Sequence, residues 1–106
     1  MSMDALTRLE ATVTDRLSAD PGSSYVASLK ARGLPAVARK LGEEAVEAVV
    51  AALSGSDEDL VGEAADVLFH LTVLLAAKDI PLERVMAELE RREGTSGLAE
   101  KASRST

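Results

Sequence analysis

Residues 35–78 read PAVARKLGEEAVEAVVAALSGSDEDLVGEAADVLFHLTVLLAAK, two long apolar stretches meeting at the short turn SGSD, Ser54–Asp57. At about 100° per residue on a helix, Lys40, Glu43, Glu44 and Glu47 fall on one stripe, while Leu41, Ala45, Val46, Ala48, Val49, Val50, Ala52 and Leu53 cover the rest. The second stretch carries its own acids, Glu63 and Asp66, with His70 one turn further on. Pro35, favoured in a first helical turn, opens one helix that runs to about Leu53 and stops at Gly55. Ser56 or Asp57 caps the next, whose first turn holds Asp57, Glu58 and Asp59 as the helix dipole prefers, and which runs to about Lys78. A connection this short makes the two helices antiparallel neighbours, so the expected centre of the fold is a helical pair, about 35–53 and 57–78.

The flanks are read the same way. Leu6, Leu9, Val13 and Leu17 recur at helical spacing behind Asp4, a candidate N-cap, and give a helix over about 4–18. Asp20-Pro21-Gly22 ends it, Ser23 or Ser24 caps a short helix from Tyr25 to Arg32, and Gly33 closes that one. Pro81 opens a fifth helix ending near Arg92. The expected class is therefore all-α, a bundle of about five helices, with residues 1–92 as the domain and 93–106, small and polar, as a flexible tail. Gly42 lies inside a helix where it costs up to about 1 kcal/mol relative to alanine; it either permits close approach of a neighbour or ligand or is a tolerated defect.

Composition narrows the function. The chain has 106 residues, enough for one core and too few for two. Ala, Leu and Val dominate, aromatics make up 2%, and strand-like alternation is absent. A formal net charge of −6 argues against a nucleic-acid backbone or an anionic membrane as partner and favours a bound cation. Without cysteine there is no disulfide framework, thiolate nucleophile or Cys-type zinc site, which fits a reducing cytoplasm. MSMDALTRLE lacks the basic and apolar segments of a signal peptide, and the apolar run Val67–Ala77 is far short of the roughly 20 residues a bilayer needs.

The register of the helical pair decides how the acids are read. Glu47 lies as far before Gly55 as Glu63 lies after it, on the order of 12 Å from the turn at 1.5 Å per residue. The same relation pairs Glu44 with Asp66 and Lys40 with His70. Four carboxylates are thus expected in two layers, where like charges need a cation; oxygen-only ligands suit Mg²⁺ or Mn²⁺. EExxE taken alone is more often a solvated face, and the matching ExxD is what shifts the balance. His70 is either a hydrogen-bonded core histidine or a ligand. Lys40 either pairs with Glu44 one turn away or meets a phosphate. No glycine-rich phosphate loop is present, so a metal would carry most of the phosphate recognition.

EExxE, fifteen intervening residues, then ExxD resembles the metal signature of MazG-type all-α nucleotide pyrophosphohydrolases. SYVASLKARGLPAVARKLGEEAVEAVVAA, EAADVLFHLTVLLA and ELERR together resemble the phosphoribosyl-ATP pyrophosphatase family of histidine biosynthesis, from Leu6 to about Arg92, and SGLAEKASR is similar to the tail of some members. The resemblance implies a cytoplasmic enzyme that cleaves phosphoribosyl-ATP between its α and β phosphates, with Glu44, Glu47, Glu63 and Asp66 as metal ligands. Glu43 either activates the attacking water or pairs with Lys40 or Arg39. Lys30, Arg39, Lys40, Tyr25 and His70 become substrate-binding candidates, with Ser24 in the same segment. It further implies a homodimer and, since no cyclohydrolase domain is fused here, a separate phosphoribosyl-AMP cyclohydrolase as pathway neighbour. Two alternatives stand beside it: a house-cleaning (d)NTP pyrophosphatase on the same scaffold, and a non-enzymatic helical dimerisation module.

Overall fold

In the computed structural model, which describes residues 4–94 and 96–104, most of the helices begin at a local device that the sequence supplies. The Asp4 carboxylate accepts from the Thr7 amide at 2.8 Å and starts α1, Ala5–Arg16. Ser24 accepts from the Ala27 amide at 3.2 Å and starts α2, Tyr25–Ala31. Gly33, at φ 99°, ends that helix with its amide on the Lys30 carbonyl and turns the chain directly into α3, Leu34–Ser54. Pro35 sits in the first turn of α3, where no amide donor is needed. A reciprocal capping box starts α4, Asp57–Ala77: Ser56 Oγ accepts from the Asp59 amide at 3.1 Å, and the Asp59 carboxylate accepts from the Ser56 amide at 3.0 Å.

The α3–α4 hairpin forms the most extensive helix interface; α1 packs along α4 and α2 against α3. Val13 of α1, Val26 and Leu29 of α2, Val37 of α3 and Val73 of α4 close the core, with Leu9, Leu17, Phe69 and Leu74 packed against them. All of these lie toward the end of the hairpin away from the SGSD turn. The turn-ward half is open: Val46 is 63% exposed, Leu53 83% and Val61 69%. Consequently α4 is long and apolar enough to cross a membrane by length and composition, yet it is little buried. Its first ten residues hold Asp57, Glu58, Asp59, Glu63 and Asp66, which are costly in hydrocarbon.

Beyond α4, Asp79 adopts a left-handed φ of 57° while the Ile80 amide reaches back to the Leu75 carbonyl. α5, Leu82–Arg91, has no side-chain cap of its own on Pro81; instead Glu10 of α1 accepts from the Leu82 amide at 2.6 Å. Two sequence expectations change. A sixth helix, α6, Gly97–Ser103, stands in the stretch read as tail, started by Ser96 accepting from the Ala99 amide at 3.0 Å. Thr95, Ser105 and Thr106 of that tail, and residues 1–3 of the domain, lie outside the described residues. Among the described residues Gly42 has no neighbour to accommodate, for a Cβ built there meets nothing within 4 Å, so the close approach it would permit does not come from them.

Candidate active site

α3 and α4 bring Glu44, Glu63 and Asp66 together so that one carboxylate oxygen of each lies within 4.8 Å of the others. Glu44 is buried at 7% exposure, Glu63 half-buried and Asp66 exposed, which makes the group a short ramp from the helix interface to solvent. Glu47 stays outside it. Three residues beyond Glu44 on α3, it is turned about 60° short of a full revolution and faces solvent. The structure therefore gathers three of the four expected carboxylates, and Glu44 reaches both acids of α4 rather than Asp66 alone. Glu47 acts on the group from the side: with Glu63 it lines a hollow of about 370 Å³ toward the turn, whose wall also includes Ala51, Ser54 and Asp59. That hollow was not legible in the sequence, since Asp59 reads there only as a first-turn acid.

The charges are unequally met. Burial, and then the neighbouring charges of Glu47, Glu44 and Asp66, push the Glu63 carboxyl above its ordinary range. Among the described residues, its Oε2 is buried without a hydrogen-bond partner. On the other side, Lys40 Nζ lies 3.4 Å from Glu44 Oε1 and 3.7 Å from Glu43 Oε1, and its hydrogen bond to Glu44 raises the ammonium's pKa. Of the two readings of Lys40, pairing with Glu44 is thus realised here.

His70 takes the core role. It is 5% exposed, and its Nδ1 approaches the Asp66 carbonyl at 2.7 Å. A carbonyl only accepts, so Nδ1 carries a proton; in the neutral ring Nε2 is then the acceptor, and the Tyr25 hydroxyl donates to it at 2.9 Å. Phe69 packs on both rings, 6.1 Å from Tyr25 and 5.0 Å from His70. The sequence marked Tyr25 and His70 separately and did not pair them, because 45 residues separate them and only the docking of α2 joins them. Ser24 is used as the cap of α2. Arg39 is exposed on α3 beside Gly42, Glu43, Val46 and Glu47 along a shallow groove, and Lys30 is exposed in the last turn of α2, so neither is drawn to the carboxylates.

The three carboxylates fit a divalent cation. All donors are oxygens, they come from two rigid helices, and the unpartnered Glu63 Oε2 is a buried acceptor that a cation would satisfy. An all-helical chain that faces EExxE with ExxD across a hairpin defines the class of all-α nucleotide pyrophosphohydrolases. The family model of phosphoribosyl-ATP pyrophosphohydrolase matches residues 6–93, and the chain belongs to that family, whose members are hydrolases. Curated relatives bearing the name phosphoribosyl-ATP pyrophosphatase extend the match almost end to end. The protein from Erythrobacter litoralis is 64% identical over 96% of this chain and 98% of its own length. That from Novosphingobium aromaticivorans is 62% identical over 96% and 95%, and that from Rhodobacter capsulatus 60% over 96% and 99%.

Proposed function

We propose that this chain hydrolyses phosphoribosyl-ATP at the bond between the α and β phosphates, releasing pyrophosphate and phosphoribosyl-AMP, the second step of histidine biosynthesis. The observation that carries the reading is the convergence of Glu44, Glu63 and Asp66, with an unpartnered buried oxygen, in a chain that matches this family over residues 6–93.

Glu44, Glu63 and Asp66 would hold Mg²⁺, or Mn²⁺, with Glu47 adding an oxygen from the hollow side. Bound there, Mg²⁺ supplies positive charge to the phosphate oxygens as the anhydride breaks. The chain's own part is positioning and proton transfer. Glu43, whose side chain is 54% exposed and lies 3.7 Å from the Lys40 ammonium, orients a water and accepts its proton as the water's oxygen bonds to phosphorus and pyrophosphate leaves with the bridging oxygen. Arg39 and Lys40 on α3 and Lys30 on α2 offer cations to a triphosphate. Tyr25 and His70 hold the α2 edge of the site in place, and Tyr25, half exposed, offers a ring face to the substrate. No covalent intermediate is required.

The surroundings of the reaction follow. The exposed apolar side chains Val46, Val49, Val50 and Leu53 along α3, with Val61 and Leu68 on α4, support a homodimer. A cytoplasmic location and a separate phosphoribosyl-AMP cyclohydrolase that consumes the product belong to the same proposal. The test is pyrophosphate release from phosphoribosyl-ATP measured beside dCTP, dUTP and ATP. Preference for phosphoribosyl-ATP is expected, and preference for a free nucleoside triphosphate would refute the substrate assignment while leaving the metal site standing.

A further inference from the structure

Glu44 is asked to serve two cations: it belongs to the group suited to a metal, and Lys40 already holds it. We propose that Lys40 is the resident counter-ion of the metal-free site, that a divalent cation binds by taking Glu44 from it, and that the exchange leaves the lysine's ammonium at the mouth of the site beside Glu43. This rests on the metal reading above and goes beyond it by assigning Lys40 an opposing role toward the metal.

Three observations support it. Glu44 is 7% exposed, and a carboxylate so buried needs a cation in the absence of a metal; Lys40 Nζ at 3.4 Å provides one. The same Nζ lies 3.7 Å from Glu43, which faces solvent. A lysine on a flexible stem, itself 32% exposed, moves from Glu44 to Glu43 by rotating its end, with no change in α3. Finally, the far side of the group is left unneutralised, since Glu63 Oε2 has no hydrogen-bond partner. Lys40 thus meets the charge on Glu44 and leaves that on Glu63, so a divalent cation seated among all three has both a vacant acceptor to gain and a bound ammonium to displace.

The consequence is competition. Lys40 stabilises the metal-free protein and weakens its affinity for the metal. The displaced ammonium is then offered where the phosphates of an incoming nucleotide, chelated by the same metal, would meet it.

Calorimetric titration with Mg²⁺ alone, on wild type, Lys40→Met and Lys40→Arg, tests this, with melting curves taken with and without Mg²⁺. Lys40→Met keeps the aliphatic stem and removes the charge. It is expected to bind Mg²⁺ roughly two- to five-fold more tightly, the range of a partly exposed ion pair. It should also melt lower than wild type without metal and gain more from Mg²⁺. Lys40→Arg keeps the charge and should stay near wild type, and Lys40→Gln substitutes for the methionine variant if that one folds poorly. Mg²⁺ affinity that is unchanged or weakened in the neutral variants, with wild-type binding intact, overturns the inference alone. Absence of Mg²⁺ binding by the wild type overturns the metal reading and the inference with it.

Discussion

Replacing Tyr25 with phenylalanine isolates one hydrogen bond in the wall of the site. The ring keeps its packing against Phe69 at 6.1 Å and its edge contact with His70 at 5.8 Å, so the hydroxyl donated to Nε2 at 2.9 Å is the only group lost. His70 is 5% exposed and cannot turn to find another partner, because its Nδ1 proton is committed to the Asp66 carbonyl at 2.7 Å. A buried acceptor left unmet costs about 1–3 kcal/mol. Tyr25 is 49% exposed, so water reaches the phenol side and the loss should fall at the low end, about 1 kcal/mol. For a chain of this size that is a fall in melting temperature of about 4–6 °C. Urea and thermal unfolding in metal-free buffer at fixed protein concentration measure it, with an unchanged urea slope showing that the unfolded state is unaffected. ¹⁵N spectra of the imidazole provide the independent check, since the wild type should carry its proton on Nδ1. A neutral or stabilising Tyr25→Phe, or a proton found on Nε2, would refute the hydrogen-bond assignment. A loss well above about 3 kcal/mol would mean that the ring had repacked.

Glu63→Gln should melt higher than wild type without metal, because burial and three neighbouring carboxylates oppose the ionised form of Glu63. A raised folded-state pKa means that the metal-free wild type loses stability as pH rises from the ordinary glutamate value through the raised one, and the variant should lack that decline. Mg²⁺ at a hundred times its Kd should stabilise the wild type by about 2.7 kcal/mol, roughly 10 °C or more, and melting curves should show this lost in Glu63→Gln. Glu88, hydrogen-bonded to Arg91 and then Arg92, is lowered to about 2 from 4.5. Its contribution is therefore fully present above the ordinary glutamate value and lost as pH falls toward 2, and a carboxyl NMR titration finding a midpoint near 4.5 would contradict the geometry. Gly42→Ala should stabilise α3 by about 0.5–1 kcal/mol in chemical denaturation, since the new Cβ meets nothing within this chain. If the variant unfolds more easily, or loses activity despite greater stability, something outside the chain approaches α3 at that point.

Much of the fold was legible because its signals are local. Asp4, Ser24, Gly33 and Ser56 each fix a helix end through bonds to residues within three or four positions, Pro35 fits the first turn of α3 because no donor is needed there, and the hydrophobic spacing between them fixes the buried side. The cap on α5 was not legible: Glu10 reaches Leu82 across 72 residues, and nothing near Pro81 announces it. Nor was α6, a seven-residue helix in a stretch too small and polar to show a periodic apolar face.

The site divides along the same line. That acids from two antiparallel helices meet at matching height follows from the residue order alone, because helical rise and a short turn leave the register little freedom. The sequence also carried the family, through motifs spread from Leu6 to Arg92. Which carboxylates converge is set by packing, since it depends on how the two helices rotate about their axes as they close the core around Val13, Leu29 and Val37. That rotation buries Glu44, turns Glu47 outward, and leaves Glu63 Oε2 without a partner. Docking α2 on the hairpin then joins Tyr25 to His70. Spacing sets height along a helix, whereas packing sets the angle around it, and the chemistry of this site depends on both.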